Sequence, residues 1–184
     1  MSKVYVLLAN GFEEIEGLTP VDLMRRAGIE VVMASITDSL QITGARGIKV
    51  TADMLLSDIT EEADMVILPG GMPGTTNLKE SSEVRSMVQK YYDAGKYIAA
   101  ICAAPTVFGD MGLLNGKKAT CYPGLEAGLN GAMWPGEGES VVVDGNIITS
   151  RGVGTAIDFA LKLIEILINE DKADSIGASV VYKR

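Results

Sequence analysis

The residue whose setting is most typical of chemistry is Cys102, which directly follows the apolar run Tyr97–Ile101. A continuous apolar run predicts a buried strand of a parallel sheet. Pro105 then favours the first turn of a helix, expected to continue towards Leu114 as far as Gly112 allows. A thiol at such a strand-to-helix turn faces unpaired N–H groups that favour the thiolate. An isolated cysteine in an apolar stretch is an inert core residue about as often as a reactive one. Ligands of open parallel sheets bind at the carboxyl ends of strands, and this position favours a reactive Cys102.

Two further segments are expected to end at the same edge of the sheet. Gly70 and Gly71 follow an apolar run, and their N–H groups could face an oxyanion, although a Gly-Gly pair is also typical of a simple tight turn. Glu13, Glu14 and Glu16 follow the first apolar run. Acidic residues in a loop are usually solvated, whereas one buried beside the cysteine would have a raised pKa and could donate a proton.

The sequence contains no histidine, which limits its chemistry. This absence excludes Ser-His-Asp and Cys-His catalytic groups and His-containing zinc sites. Proton transfer must therefore use carboxylates, Tyr, Lys, Cys or water. The second cysteine, Cys121, lies on a predicted short segment at residues 118–122 without a comparable setting, and we interpret it as a buried structural thiol.

The composition is that of an ordinary globular protein, and we expect one domain over residues 1–184. Acidic residues outnumber basic ones 24 to 16, giving a net charge of −8 without any basic stripe. We therefore expect no general nucleic-acid partner and no membrane partner. Residues 4–9 are too short for the apolar region of a secretory signal. With two cysteines, too few for a disulfide framework, the expected location is a reducing cytoplasm.

Apolar runs alternate with helical patterns along the chain. Strands are predicted at residues 3–9, 29–36, 63–68, 97–101 and 176–181, with hairpins at 40–51 and 141–149. Helices are predicted at residues 21–27 after the Thr19-Pro20 cap, from Ser82 to about residue 94, after Pro105, and from about Thr155 to Asn169. This order predicts an α/β fold with a mostly parallel sheet covered by helices on both faces.

Five motifs together carry a resemblance to a known family. They are Asn-Gly-Phe-Glu-Glu-Ile-Glu at residues 10–16, Pro-Val-Asp-Leu-Met-Arg-Arg-Ala-Gly at 20–28, Leu-Pro-Gly-Gly at 68–71, Ala-Ile-Cys-Ala-Ala-Pro at 100–105 and Thr-Ser-Arg-Gly-Val-Gly-Thr at 149–155. Their order resembles that of the ThiJ/PfpI superfamily, in particular the branch of the parkinsonism-associated protein deglycase and its bacterial relatives. The resemblance covers essentially the whole chain. It implies a flavodoxin-like sandwich of the class I glutamine amidotransferase type and a homodimer.

The resemblance also implies roles for individual residues. It places the nucleophile at Cys102 and a buried, protonated carboxyl that hydrogen-bonds it at Glu16. The oxyanion-binding amides fall on Gly71 and Ala103, next to Gly70. In this branch the cysteine is readily oxidised to a sulfinate that the carboxyl stabilises.

Several positions differ from relatives or lie further from the nucleophile. Hydrolase-like branches have His where this chain has Ala103, which argues against a protease or an amidotransferase. Tyr122 takes the position of a further His, and a phenol is a poor base near neutral pH. The resemblance implies that Arg46 and Arg151 line the entrance of the site across the dimer.

We therefore expect a cysteine-dependent glyoxalase or deglycase that protects against oxidative and carbonyl stress. Cys102 would add to the aldehyde of methylglyoxal or glyoxal, and Glu16 would move a proton between the two carbons to give lactate or glycolate. A glycated protein carrying early adducts is a further substrate that the resemblance implies. No metal or organic cofactor is required. The alternative is a redox-sensing or chaperone protein that uses oxidation of Cys102 without turnover, and a third interpretation is a structural member with an inert thiol.

Overall fold

Short strands alternate with helices in the computed structural model, which describes residues 2–183. The strands are β1 (Lys3–Leu8), β2 (Glu30–Ser35), β3 (Gln41–Thr43), β4 (Lys49–Thr51), β5 (Met54–Leu55), β6 (Met65–Leu68), β7 (Tyr97–Ile101), β8 (Val141–Asp144) and β9 (Ile147–Ser150). The helices are α1 (Glu14–Arg26), α2 (Gly74–Glu80), α3 (Ser82–Asp93), α4 (Pro105–Asp110), α5 (Ala156–Leu167) and α6 (Glu170–Ser179).

The main sheet is almost entirely parallel. Within residues 2–183 its strand order is β5-β2-β1-β6-β7-β9-β8, and β3 pairs with β4 in a separate hairpin. In the main sheet β8 runs antiparallel to β9, and the other neighbours pair in parallel. Every residue of the central strand β6 is buried, as expected for a strand covered on both faces. The prediction of an α/β fold with a mostly parallel sheet is confirmed.

The side chains of β1 show how the two faces are covered. Val4, Val6 and Leu8 belong to the apolar core formed with α1, α5 and α6. Tyr5 and Leu7 point to the opposite face and belong to the core formed with α2, α3 and α4. This alternation has the period of two expected of a strand, so the sheet is the middle layer of a flavodoxin-like sandwich. In the described part of the chain, none of the helices is both long and apolar enough to cross a membrane.

The largest difference from the sequence prediction is the start of α1. The Thr19-Pro20 pair suggested a helix that begins there, but α1 begins at Glu14 and contains Pro20. Proline lacks an N–H group and cannot donate to the carbonyl of Glu16, which disfavours this position in an isolated helix. Burial of Val21 and Met24 in the core outweighs that preference. As a consequence, Glu14 and Glu16 lie in the first helical turn rather than in a loop.

The end of the chain was also predicted wrongly. Residues 176–181 were expected to form a strand, but α6 extends through Ser179. Asn169, which was taken as the end of the preceding helix, caps α6, because its Oδ1 accepts a hydrogen bond from the N–H of Lys172 at 2.9 Å. Ala173 and Ile176 bury an apolar stripe against the core, and this stripe has helical spacing.

Smaller differences concern the helices near the strand ends. The short helix α2 was not predicted, and α4 ends at Asp110, before Gly112. Ser81 rather than Ser82 caps α3, because its Oγ accepts from the N–H of Val84 at 3.2 Å. The predicted turn between β8 and β9 is confirmed at Gly145 and Asn146.

Candidate active site

Cys102 lies at the carboxyl end of β7 in a conformation that side chains rarely adopt. Its φ is +65°, in the left-handed region. Its N–H donates to the carbonyl of Ser150 at 3.0 Å, and its carbonyl accepts from the N–H of Tyr122 at 2.8 Å. Two neighbouring segments therefore hold the backbone in this strained turn, which directs the side chain into a cleft.

Glu16 approaches the cysteine from the first turn of α1 and is only 1% exposed. Its Oε2 accepts a hydrogen bond from the N–H of Gly70 at 3.1 Å. Its Oε1 is buried and has no hydrogen-bond partner within residues 2–183. A β-carbon placed on Gly70 would lie 2.6 Å from both Cys102 Cβ and Glu16 Oε2, so only glycine fits between the two side chains.

The Gly70-Gly71 segment supplies backbone donors to the same site. The N–H of Glu13 donates to the carbonyl of Gly70 at 2.8 Å, so the start of α1 holds Gly70 through both of its polar backbone groups. Gly71 has a φ of +90°, which glycine adopts without strain. The N–H groups of Gly71 and Ala103 act on the sulfur of Cys102 and lower the pKa of its thiol. The structure thus brings Cys102, Glu16, Gly70, Gly71 and Ala103 together.

The three acidic residues at the start of α1 are all buried, so the interpretation of a solvated acidic loop is wrong. Glu14 Oε1 accepts from the N–H groups of Arg46 and Ile48, at 2.9 and 3.3 Å, and so holds the turn between β3 and β4. Glu13 Oε2 lies 3.4 Å from Arg46 Nη2. Glu16 faces the cysteine, and each carboxylate therefore has a different structural task.

The thiol and the carboxyl influence each other's protonation. The pKa of Glu16 is raised to about 7, mainly by burial; hydrogen bonds with Cys102 and Gly70 act to lower it, and the charge of Glu13 acts to raise it. Burial, the charge of Glu16 and the hydrogen bond with Glu16 together raise the pKa of the Cys102 thiol to about 12. The N–H groups of Ala103 and Gly71 act in the opposite direction. The start of the helix favours the thiolate, but burial and an ionised Glu16 have larger effects and favour the thiol.

Protonation of Glu16 removes the repulsive charge beside the sulfur. A state with a thiolate and a neutral carboxyl carries the same net charge as one with a thiol and a carboxylate. The two groups therefore titrate as a pair that shares one proton near neutral pH. Such a pair combines a nucleophile with a proton donor without any histidine.

The site opens into a cleft with a volume of about 760 Å³. Tyr122, Arg46 and Arg151 of this chain line the cleft. Tyr122 is half-exposed, and its ring lies beside Gly152. Arg151 donates from Nη1 to the carbonyl of Glu137 at 2.6 Å.

Some residues of the cleft were not singled out from the sequence. Gly152 and Thr155 both line it. Thr155 Oγ1 accepts from the N–H groups of Arg151 and Gly152, at 3.2 and 3.1 Å, and so shapes the segment after β9. Gly152 and Thr155 belong to the motif at residues 149–155, but the hydrogen bonds of the Thr155 side chain depend on the turn that this segment forms.

The second cysteine has a different environment. Cys121 is 1% exposed, and its thiol donates to the carbonyl of Tyr122 at 3.4 Å. Burial raises the pKa of its thiol to about 11. Among residues 2–183, no group of three or more His, Cys, Asp or Glu side chains is placed so that it could hold a metal ion.

Comparison with known proteins identifies the family. The model of the DJ-1/PfpI family matches residues 2–166. The protein DJ-1 homolog B of Arabidopsis thaliana is 41% identical over 183 residues, which are 98% of this chain and 42% of that protein. This chain thus spans less than half the length of the Arabidopsis homologues A and B, of which it covers 46% and 42%.

Two other similar proteins are covered over nearly their whole length. The glutathione-independent glyoxalase DJR-1.2 of Caenorhabditis elegans is 31% identical over 176 residues, covering 95% of this chain and 93% of that protein. The solved structure of oxidized DJ-1 from Toxoplasma gondii has a TM-score of 0.94 and 41% identity, with 100% of both chains covered. Both the family model and the full-length likeness agree with the motifs around the turn at Cys102, and the chain belongs to the DJ-1/PfpI family.

Proposed function

We propose that the chain is a glutathione-independent glyoxalase that converts methylglyoxal to lactate and glyoxal to glycolate. The observation that carries this proposal is the meeting of one thiol, one buried carboxyl and two backbone N–H donors in a single cleft. A relative that is named a glutathione-independent glyoxalase supports the same reaction. The proposal names Cys102 as the nucleophile and Glu16 as the group that carries the proton.

The first step is addition of the thiol to the aldehyde. The Cys102 thiolate forms a bond to the aldehyde carbon, and the π electrons of the carbonyl move to its oxygen. The N–H groups of Gly71 and Ala103 stabilise this oxyanion, and Glu16 donates its proton to give a hemithioacetal. The carboxyl that began this step neutral is now a carboxylate.

The second step moves a proton between carbons. The Glu16 carboxylate removes the proton from the former aldehyde carbon, which gives an enediolate, and returns it to the former ketone carbon. The hydroxyl proton of the hemithioacetal passes to the former ketone oxygen, which leaves a thioester carbonyl at the first carbon and a hydroxyl at the second. Oε1 is the oxygen available for this transfer because Oε2 is held by the N–H of Gly70. Hydrolysis of the thioester consumes one water, releases the hydroxy acid and regenerates Cys102. A carboxyl pKa of about 7 suits a group that must both give and take a proton near neutral pH.

The test is lactate formation from methylglyoxal without glutathione. We expect turnover by the wild type, and its loss in Cys102→Ser and in Glu16→Gln. Cys121→Ser is the matched control, since this cysteine does not line the cleft among the described residues, and it should retain turnover. Absence of turnover by folded wild-type protein, or full activity of Glu16→Gln, would contradict the proposal.

The same assay separates free dicarbonyls from protein adducts. The cleft is open to solvent, which supports access of early methylglyoxal adducts on protein side chains as a further substrate of this site. Adduct removal should be measured with a trap present that consumes free methylglyoxal. Persistence of removal under these conditions supports direct action on the adduct, and its loss assigns the effect to consumption of the free dicarbonyl.

A second candidate function is redox sensing through Cys102. Cys102 is partly exposed, whereas Cys121 is buried, so a peroxide in solution reaches Cys102 first. A similar protein from Toxoplasma gondii has been solved in an oxidized form, which supports this candidate. Intact-mass analysis after mild peroxide should show addition of two oxygen atoms in the wild type and none in Cys102→Ser. Oxidation that persists unchanged in Cys102→Ser would rule this candidate out.

We also propose that the chain forms a homodimer through the outer face of α1. Ile15 and Ile48 are exposed side chains that line one shallow cavity, together with Leu18 and Ile157. Contiguous exposed apolar side chains of this kind are typical of protein interfaces. Light scattering should give the mass of a dimer for the wild type and that of a monomer for Ile15→Glu combined with Ile48→Glu.

A further inference from the structure

The rim of the active-site cleft is unusually apolar for a site that acts on a very small polar substrate. Met72, Leu125, Val153 and Tyr122 all line the cleft and are all exposed. They lie on three segments of the chain, which converge around the opening above Cys102. Exposed apolar side chains that converge on a nucleophile form a surface available to an apolar part of a substrate.

The cleft is also much larger than methylglyoxal needs. Its volume of about 760 Å³ is typical of pockets that hold ligands of drug size. Methylglyoxal carries a single methyl group beside its dicarbonyl. When its aldehyde carbon is bonded to Cys102, that methyl group cannot reach most of the rim, and the apolar surface remains exposed to water.

The charged groups of the cleft do not favour an anionic substituent. Arg46 lies 3.4 Å from the carboxylate of Glu13. Arg151 donates from Nη1 to the carbonyl of Glu137 at 2.6 Å, and its Nε is buried without a hydrogen-bond partner among the described residues. Arg46 and the Nη1 group of Arg151 are therefore engaged, and the net charge of the chain is −8. Recognition of a substituent at this rim depends on apolar contact.

We propose that the cleft prefers 2-oxoaldehydes whose ketone carbon carries an apolar group larger than methyl, and that Met72 and Leu125 contact this group. The inference rests on the proposed glyoxalase function and specifies its substrate class. The bond changes are the same as for methylglyoxal: one water is consumed and the 2-oxoaldehyde becomes the corresponding 2-hydroxy acid. The aldehyde carbon is oxidised and the ketone carbon reduced within one molecule, so no external oxidant or reductant takes part.

The test compares phenylglyoxal, which gives mandelate, with methylglyoxal, which gives lactate. Initial rates are measured, and intact mass shows that arginine side chains are unmodified over the assay. We expect kcat/KM for phenylglyoxal to exceed that for methylglyoxal by about tenfold or more, because even one additional methylene in an apolar pocket can contribute about tenfold. Leu125→Ser and Met72→Ser should each lower this ratio by about threefold or more.

Matched controls come from exposed side chains elsewhere on the chain. Leu40 is 41% exposed, close to the 38% of Leu125, and Met133 is 52% exposed, close to the 62% of Met72. Within the described residues neither control lines the cleft, so Leu40→Ser and Met133→Ser should keep the wild-type ratio. Use of the ratio corrects for variants that disturb folding, since both substrates are then affected equally.

The outcomes separate the two proposals. Turnover of methylglyoxal with an equal or lower kcat/KM for phenylglyoxal would overturn the substrate class and leave the glyoxalase proposal intact. A preference for phenylglyoxal that both Leu125→Ser and Met72→Ser leave unchanged would also overturn it. No turnover of either substrate would contradict the glyoxalase function itself, and the inferred substrate class with it.

Discussion

Replacement of Glu16 by Gln should stabilise the fold at alkaline pH while it removes activity. The carboxyl is buried, and its pKa is raised from 4.5 to about 7. In the unfolded chain the group ionises at its ordinary pKa, so between these two values the unfolded state loses a proton that the folded state retains. The free energy of unfolding of the wild type therefore falls as the pH rises through this window. The amide introduced by Glu16→Gln does not titrate, so the variant lacks this fall.

The size of the effect follows from the shift. One pKa unit corresponds to about 1.4 kcal/mol. Once Glu16 is ionised in both the folded and the unfolded state, its burial lowers the free energy of unfolding by roughly 3 kcal/mol. Between about pH 5 and pH 8 the linkage relation gives a change of about 2.5 kcal/mol. A Gln amide that lacks a partner at the position of Oε1 costs about 1–3 kcal/mol, but this cost is the same at both pH values.

The assay is urea unfolding of the wild type and of Glu16→Gln at both pH values. The difference in unfolding free energy between the variant and the wild type should increase by about 2.5 kcal/mol from about pH 5 to pH 8. Glu80→Gln, at an exposed position of α2, is the reference for the same chemical change on the surface. A change below about 1 kcal/mol would refute the conclusion that burial holds a proton on Glu16.

Three further outcomes test the geometry of the site. Gly70→Ala should lower kcat/KM for methylglyoxal by about a hundredfold or more, because its methyl group would lie 2.6 Å from Cys102 Cβ. Gly28→Ala is the control, since nothing lies within 4 Å of a β-carbon there, and it should lose only about 1 kcal/mol of stability and keep its activity. The rate of Cys102 alkylation by iodoacetamide should rise through about pH 7, as the pair of Cys102 and Glu16 loses its first proton. Glu16→Gln should lack this rise in rate near pH 7. A rate independent of pH in the wild type would contradict the conclusion that the two groups share a proton. Tyr122→His should raise kcat severalfold above neutral pH, because an imidazole is a better base than a phenol. Tyr122→Phe should change kcat by less than about threefold. Equal effects of the two substitutions would show that this position contributes only the packing of a ring and no base.

The sheet was predictable because burial on both faces leaves a direct mark on the sequence. The strands β1, β6 and β7 are runs of apolar residues, and the residues that follow them meet at one edge of a parallel sheet. This rule alone brought Cys102 near Gly70 and near the acidic segment. The hairpin of β8 and β9 was predictable for a local reason, since its turn needs a residue such as Gly145 with a φ of +61°.

The acidic residues show where local patterns fail. Glu13, Glu14 and Glu16 look alike in the sequence, and the Thr19-Pro20 signal placed all of them in a loop. Their different roles depend on the orientation of the first turn of α1 relative to Gly70 and to the hairpin of β3 and β4. Only tertiary packing sets that orientation. The assignment of Glu16 from the sequence came from family resemblance.

The protonation of Cys102 was mispredicted for a related reason. A cysteine at a helix start suggests an easily ionised thiol, but this argument considers only the dipole and the nearby N–H groups. Burial and the adjacent Glu16 carboxylate are larger effects here, and both raise the pKa of the thiol. They depend on residues far apart in the sequence, so no local pattern around Cys102 contains them.

The first turn of α1 joins the outer surface of the protein to its reactive centre. Ile15 is exposed, whereas the next residue, Glu16, is buried against Gly70, and the N–H of Glu13 holds the carbonyl of that glycine. A partner that displaced Ile15 would displace Glu16, the proposed proton carrier, and Gly71, the proposed oxyanion donor, together. The proposed association at this face and the proposed chemistry at Cys102 are therefore linked through a single turn of helix, and we expect a surface substitution there to change both.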